Sequence, residues 1–161
     1  MPSADKILAL PELAARVAAL KAAGRVVGLA NGGFDLFHVG HVRYLQGARA
    51  LVDVLVVAVN SDRSLRGLKG EQRALLAEGE RARLVAALAC VDFVTVFDEA
   101  TVEVVLRALK PDFHLKGSDY TPDTVPERDI VRSFGGRVAI VGGPKVRSSS
   151  TILAHVRALP R

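Results

Sequence analysis

Five short runs of consecutive apolar, largely β-branched residues recur along this chain: 26–30 (VVGLA), 53–59 (DVLVVAV), 92–97 (DFVTVF), 112–115 (DFHL) and 137–141 (RVAIV). A strand with one wet face alternates apolar and polar residues. These runs do not alternate, so they read as strands buried on both faces. Segments with apolar residues at helical spacing separate them. Residues 10–23 carry Leu13, Val17 and Leu20, with Pro11 in the first turn and Gly24 as the stop. Residues 42–51, 78–89 (Leu84, Val85 and Leu88 inward), 101–109, 126–134 and 152–159 read as helices too. Strand and helix in alternation predict an α/β, Rossmann-like parallel sheet of about five strands with helices on both faces. The 161 residues suffice for one domain. Residues 1–24 form its N-terminal helix and 25–161 its core. Residues 65–78 break all periodicity and read as a basic, glycine-flanked loop.

Polar turns at 31–41, 60–70, 116–120 and 142–151 each follow a strand. In a parallel sheet all four emerge at one edge, where open α/β sheets bind ligands. The first reads Asn31-Gly32-Gly33-Phe34-Asp35-Leu36-Phe37-His38-Val39-Gly40-His41. Gly32 and Gly33 permit a tight turn and close approach to a ligand, and Gly40 leaves space between the two histidines. His38 and His41 are three residues apart, so at a helix start they face one way. They can cap the helix, hold a metal, or donate N–H groups to phosphate where the helix dipole favours negative charge. No third Cys or His stands at metal-ligand spacing. The surrounding glycines favour the phosphate reading.

Lys69 reads as a solvated lysine or as a cation closing on a triphosphate, and Arg81 as a surface ion pair or a phosphate ligand. Lys116-Gly117-Ser118-Asp119-Tyr120 reads as a plain turn or as contacts to a base or ribose. Ser148-Ser149-Ser150 opens the last helix, and three hydroxyls exceed what one cap needs. With Lys145 and Arg147 nearby they make a candidate anion site. A P-loop motif is missing, and nothing orders a covalent nucleophile.

Composition narrows the function classes. The net charge is +5, with a sequence pI near 9.8. The basic residues are scattered and aromatics are only 5%, which disfavours a nucleic-acid partner and suits phosphorylated ligands. No apolar run approaches the ~20 residues of a membrane span. No export signal is read at the N-terminus, and the single cysteine, Cys90, suits the reducing cytoplasm.

These motifs resemble the cytidylyltransferase-like nucleotidyltransferases, through Gly32–His41 with its His-x-Gly-His and through the serine turn of the last helix. The finer pattern is similar to the adenylyltransferase domain that makes ADP-heptose. It is carried by Asn31-Gly32-x-Phe34-Asp35, Ala58-Val59-Asn60-Ser61-Asp62, Leu68-Lys69-Gly70, Val91-Asp92, Pro111-Asp112 and Lys116-Gly117-x-Asp119-Tyr120. The likeness runs from about Arg25 to His155. It implies Mg²⁺ with ATP as donor, a sugar 1-phosphate (heptose 1-phosphate) as acceptor, and a homo-oligomer, a dimer. It implies catalytic roles for His38, His41 and Lys69. It further implies nucleotide or phosphate contacts for Asn31, Gly32, Gly33, Phe34, Asp35, Gly40, Arg81, Lys116, Gly117, Asp119, Ser148, Ser149 and Ser150. The chain departs from the heptose pattern at Gly33 (there Cys), Arg73-Ala74-Leu75-Leu76 (there Arg-Pro-Val-Asn), Ser118 (there Gly) and Ser148-Ser149-Ser150 (there Ser-Thr-Thr). A cytidylyltransferase acting on glycerol 3-phosphate or a similar phosphorylated alcohol is the enzymatic alternative. The non-enzymatic one is a nucleotide- or nucleic-acid-binding module.

Overall fold

In the computed structural model, which describes residues 2–71, 73–144 and 148–158, each apolar run becomes a strand. They are β1 (Val27–Gly32), β2 (Val54–Asn60), β3 (Phe93–Phe97), β4 (Phe113–Gly117) and β5 (Arg137–Val141). All pairings are parallel, in the order β3–β2–β1–β4–β5. The central strand β1 pairs with β2 from Val27↔Val54 to Gly32↔Val59, and with β4 from Gly28↔Phe113 to Ala30↔Leu115. The chain builds outward to one side through β2 and β3, then crosses back to lay down β4 and β5. The carboxyl ends of β1 and β4 therefore flank the point where strand order reverses, and loops leaving it diverge into a crevice.

Among the described residues there are seven α-helices: α1 (Leu10–Ala22), α2 (Val39–Arg49), α3 (Asp62–Lys69), α4 (Glu78–Ala86), α5 (Glu103–Leu109), α6 (Arg128–Ser133) and α7 (Ser149–Arg157). On one face Leu13 and Val17 of α1, Val105, Leu106 and Leu109 of α5 and Val131 of α6 pack on Val27, Leu29, Val54 and Val56. On the other, Leu45 and Ala48 of α2 and Val85 and Ala86 of α4 pack on Ala30, Leu55, Val57 and Leu115. Burial on both faces is the reason the strands lack a two-residue period.

The structure corrects the sequence reading at residues 65–78. Residues 62–69 are α3, and Lys69 is its last residue rather than part of a loop. Ser61 caps this helix, its Oγ accepting from Ser64 N at 3.1 Å. Only Ser64 and Leu65 of α3 are buried, too few apolar positions to write a helical period into the sequence. On α4, Leu84 faces out at 43% exposure; the inward side chains are Arg81, Ala82, Val85 and Ala86.

One contact sets the loop after β5 against α2. Gly142 has φ +90°, and a Cβ there would stand 2.8 Å from Tyr44 Cα. The approach is reciprocal, since a Cβ on Gly47 would stand 2.9 Å from Gly142 N. Only glycines bring these backbones so close, and their approach seats the start of α7 beside the start of α2.

Candidate active site

The histidine helix is capped by its own histidines. His38 is the N-cap of α2. Its Nδ1 accepts from Gly40 N at 3.1 Å, and His41 Nδ1 accepts from His38 N at 3.3 Å. A neutral imidazole whose Nδ1 accepts must carry its proton on Nε2. The capping geometry thus selects the tautomer and makes Nε2–H the donor of each ring. The two rings stack with centroids 3.9 Å apart, and Phe34 and Phe37 flank His41 at 5.1 and 5.3 Å. Burial, then the His38 and Lys69 charges, hold the His41 pKa down at about 4. At neutral pH His41 is an uncharged donor.

Two cavities meet at this point. The first, about 490 Å³, is lined by His38, Gly40, His41, Lys69, the Gly117–Asp119 turn, Gly142, Gly143 and Ser148–Ser150. The second, about 460 Å³, is lined by Asn31–Asp35, Asn60, Phe97, Thr101, Lys116, Tyr120 and Glu127, among others. His41, Tyr44, Lys69, Gly117, Asp119 and Ser149 line both. The polar turns therefore do converge at one sheet edge, on a crevice with two compartments and a shared seam.

The three serines hold distinct bonds. Ser148 caps α7, its Oγ accepting from Thr151 N at 3.1 Å, while Thr151 Oγ1 accepts from Ser148 N at 3.0 Å. Ser149 Oγ donates to Leu36 O at 3.3 Å and ties α7 to the histidine loop. Ser150 Oγ accepts from Arg73 at 2.9 Å. Lys145 and Arg147, expected to add charge here, lie outside the described residues.

Arg81, an expected ligand, instead supports the crevice from behind, while Asp35 and Gly33 line it and are fixed by packing. Arg81 is fully buried and lines neither cavity. Its guanidinium donates to Gly33 O, to Leu76 O at 3.0 Å and to Asp62 Oδ1 at 2.7 Å. The expectation of a phosphate ligand gives way to a strut holding the glycine turn, because these three acceptors occupy the guanidinium. Asp35 is buried as well, and its Oδ1 accepts from Leu75 N (2.7 Å) and Leu76 N (3.3 Å). It pins the segment where the chain departs from the heptose pattern. Gly33 is closely packed too: a Cβ there would meet Leu65 Cδ1 at 2.7 Å.

Tyr44 and His114 carry a framework that motif spacing did not single out. Tyr44 Oη donates to Leu115 O at 2.6 Å and accepts from Asn31 N at 3.4 Å, so α2 bridges β1 and β4 at the switch point. Burial drives the Tyr44 pKa well up and the His114 pKa down to about 3. His114 Nε2 and Lys116 Nζ converge on Asn31 Oδ1 at 3.1 and 3.3 Å. Lys116 is buried, which lowers its pKa, while Glu127 Oε2 at 3.9 Å opposes that shift. The apolar setting of Tyr44 in α2 looks like any core position in sequence, and nothing in its spacing marks it.

Comparison with known proteins agrees with this geometry. The family model described as Cytidylyltransferase-like matches residues 29–153. The "Bifunctional protein HldE" of Geotalea uraniireducens is 48% identical over 157 residues, covering 97% of this chain and 32% of the relative. Its namesake in Syntrophotalea carbinolica is 50% identical over 133 residues, covering 83% and 27%. This chain spans about a third of the length of these curated relatives. The crystal structure of the lipopolysaccharide core biosynthesis protein from Thermoplasma volcanium superposes with a TM-score of 0.63 at 30% identity, covering 73% of this chain and 95% of that one.

Proposed function

The chain belongs to the cytidylyltransferase-like family, and from that premise we propose that residues 1–161 are a nucleotidyltransferase domain. It transfers AMP from ATP to a sugar 1-phosphate, a heptose 1-phosphate, and releases pyrophosphate. The observation that carries this reading is the seam: His41, Lys69 and Ser149 line both compartments at once. A two-substrate transfer needs one reacting phosphorus between two pockets, and the seam is that place.

ATP occupies the first compartment, with base and ribose against the Gly117–Asp119 turn and Gly142–Gly143, and phosphates toward the α7 start. The acceptor phosphate enters from the second. One of its oxygens attacks the α-phosphorus in line, a P–O bond forms, and the bond from the α-phosphorus to the bridging oxygen breaks. The nucleophile is already an anion, so no protein group abstracts a proton; catalysis rests on positioning and charge stabilisation. His38 and His41 donate Nε2–H to the α-phosphoryl oxygens as charge builds. Lys69, at the end of α3, draws the departing pyrophosphate, and the hydroxyls and N–H groups of Ser148–Ser150 hold its oxygens. The carboxylate at the seam is Asp119 amid donors, a set that fits an ion delivered on the nucleotide. Asp119 would face Mg²⁺ carried in on the nucleotide, and the ion would supply neutralisation of the phosphate charge.

The test is pyrophosphate release with ATP or CTP against heptose 1-phosphate or glycerol 3-phosphate. Release with ATP and heptose 1-phosphate is expected. Turnover confined to CTP and glycerol 3-phosphate would replace this reading with the cytidylyltransferase alternative. The single Cys90 supports a cytoplasmic setting, and among the described residues no helix is long and apolar enough to cross a membrane. Assembly as a homodimer follows from the family resemblance and is read by light scattering.

A further inference from the structure

Glu127 was singled out by no motif. It closes the loop after β4 and lines the second compartment at 7% exposure. Its Oε2 is buried and accepts no hydrogen bond. Lys116 Nζ, 3.9 Å away, supplies charge but stands too far to donate. That ammonium is already directed at Asn31 Oδ1 and lies over the Tyr120 ring, 4.7 Å from its centroid. A buried carboxylate oxygen with nothing to accept is costly, and it is repaid when a ligand brings a donor.

The donor is set by chemistry. A phosphate would be repelled by this carboxylate, so the anionic end of the acceptor belongs at the seam with His41 and Lys69. What reaches Glu127 is the acceptor's uncharged end. The same compartment offers apolar surface from Phe97 and Leu65 beside polar groups from Asn60 and Thr101. Apolar faces next to hydrogen-bonding edges suit a ring with C–H faces and hydroxyl edges.

We propose that Glu127, steadied by Lys116, accepts hydrogen bonds from hydroxyls of the acceptor and so restricts the enzyme to polyhydroxylated, sugar-like phosphates. The inference rests on the second compartment being the acceptor subsite in the reading above. A site built to bond a substrate hydroxyl strongly rejects the analogue lacking it, because its own polar group is then left unpaired.

The test measures equilibrium binding of three probes to the intact chain by calorimetry: heptose 1-phosphate, cyclohexyl phosphate (a ring without hydroxyls) and ATP. Pyrophosphate release is assayed in parallel. For Glu127→Gln the expected result is heptose 1-phosphate bound at least 10-fold more weakly, with cyclohexyl phosphate and ATP within 2-fold of the unmodified chain. Glu127→Asp keeps the charge beside Lys116 but shortens the reach. It is expected to lose the same selectivity, and it decides the question if the glutamine variant does not fold. Equal binding of heptose 1-phosphate by parent and variant overturns the inference, as does equal binding of the two ring phosphates by the parent. Loss of ATP binding instead overturns it by placing the adenine amino group at Glu127. Selective binding without pyrophosphate release would leave Glu127 as a hydroxyl receptor and sink the transferase reading alone.

Discussion

Replacing His41 by asparagine separates two duties that the ring performs. Its Nδ1 accepts from His38 N at 3.3 Å and helps close the cap of α2. In the proposed reaction its Nε2–H is the donor offered to the reacting phosphoryl group. An asparagine amide oxygen falls near the Nδ1 position, so His41→Asn keeps the cap and removes the donor. A single transition-state donor of this type is worth about 2.7–4 kcal/mol, or 10²–10³ in turnover. The cap is worth about 1 kcal/mol, which for a chain of this size shifts Tm by roughly 2–4 °C. His41→Asn is therefore expected to lose 10²–10³ in kcat while keeping the cap's share of stability. Both variants lose the ring's packing between Phe34 and Phe37, so His41→Ala should lose the same kcat and melt below His41→Asn by the cap's share. Single-turnover pyrophosphate release and thermal unfolding on the same preparations give both numbers. Near-normal turnover in His41→Asn would refute the donor role, whatever its stability.

Two further outcomes follow from the buried groups. Arg81→Met removes the strut and leaves Gly33 O, Leu76 O and the Asp62 carboxylate without their donor. Breaking a buried pair from one side costs about 3–5 kcal/mol, to be read by urea unfolding. A loss under about 1 kcal/mol would show that the guanidinium does not hold the turn. Stability should also depend on pH. His41 and His114 have folded-state pKa values of about 4 and about 3, both below the unfolded value of 6.5. The folded chain thus binds fewer protons than the unfolded chain below pH 6.5. Stability is fully present above that pH and falls as pH drops toward 4, by about 1.4 kcal/mol per unit for each ring. Urea unfolding between pH 7.5 and 5 measures the slope, and His114→Asn should reduce it. A flat profile would contradict the burial of both rings.

The class of the fold was legible because it depends on local patterning. Strands buried on both faces write unbroken apolar runs, and β5 begins and ends where its run does, at Arg137 and Val141. Helix α3 escaped notice because it rests on one cap and one inward leucine. Spacing also placed His38, His41 and the serine turn in one crevice, since turns that follow parallel strands share an edge.

The partners of each polar group there are decided only by tertiary packing. Arg81 and Lys69 are both basic residues at helix termini or first turns in the chain, yet one is walled in by three oxygens and the other stands at the seam. Asp35, beside the glycines, lines the crevice, yet its Oδ1 is engaged by the backbone N–H groups of Leu75 and Leu76. Glu127 lies 86 residues from His41 in sequence and still lines the same compartment. Hydrogen-bond partners and desolvation come from atoms distant along the chain, and a one-dimensional pattern carries no record of them.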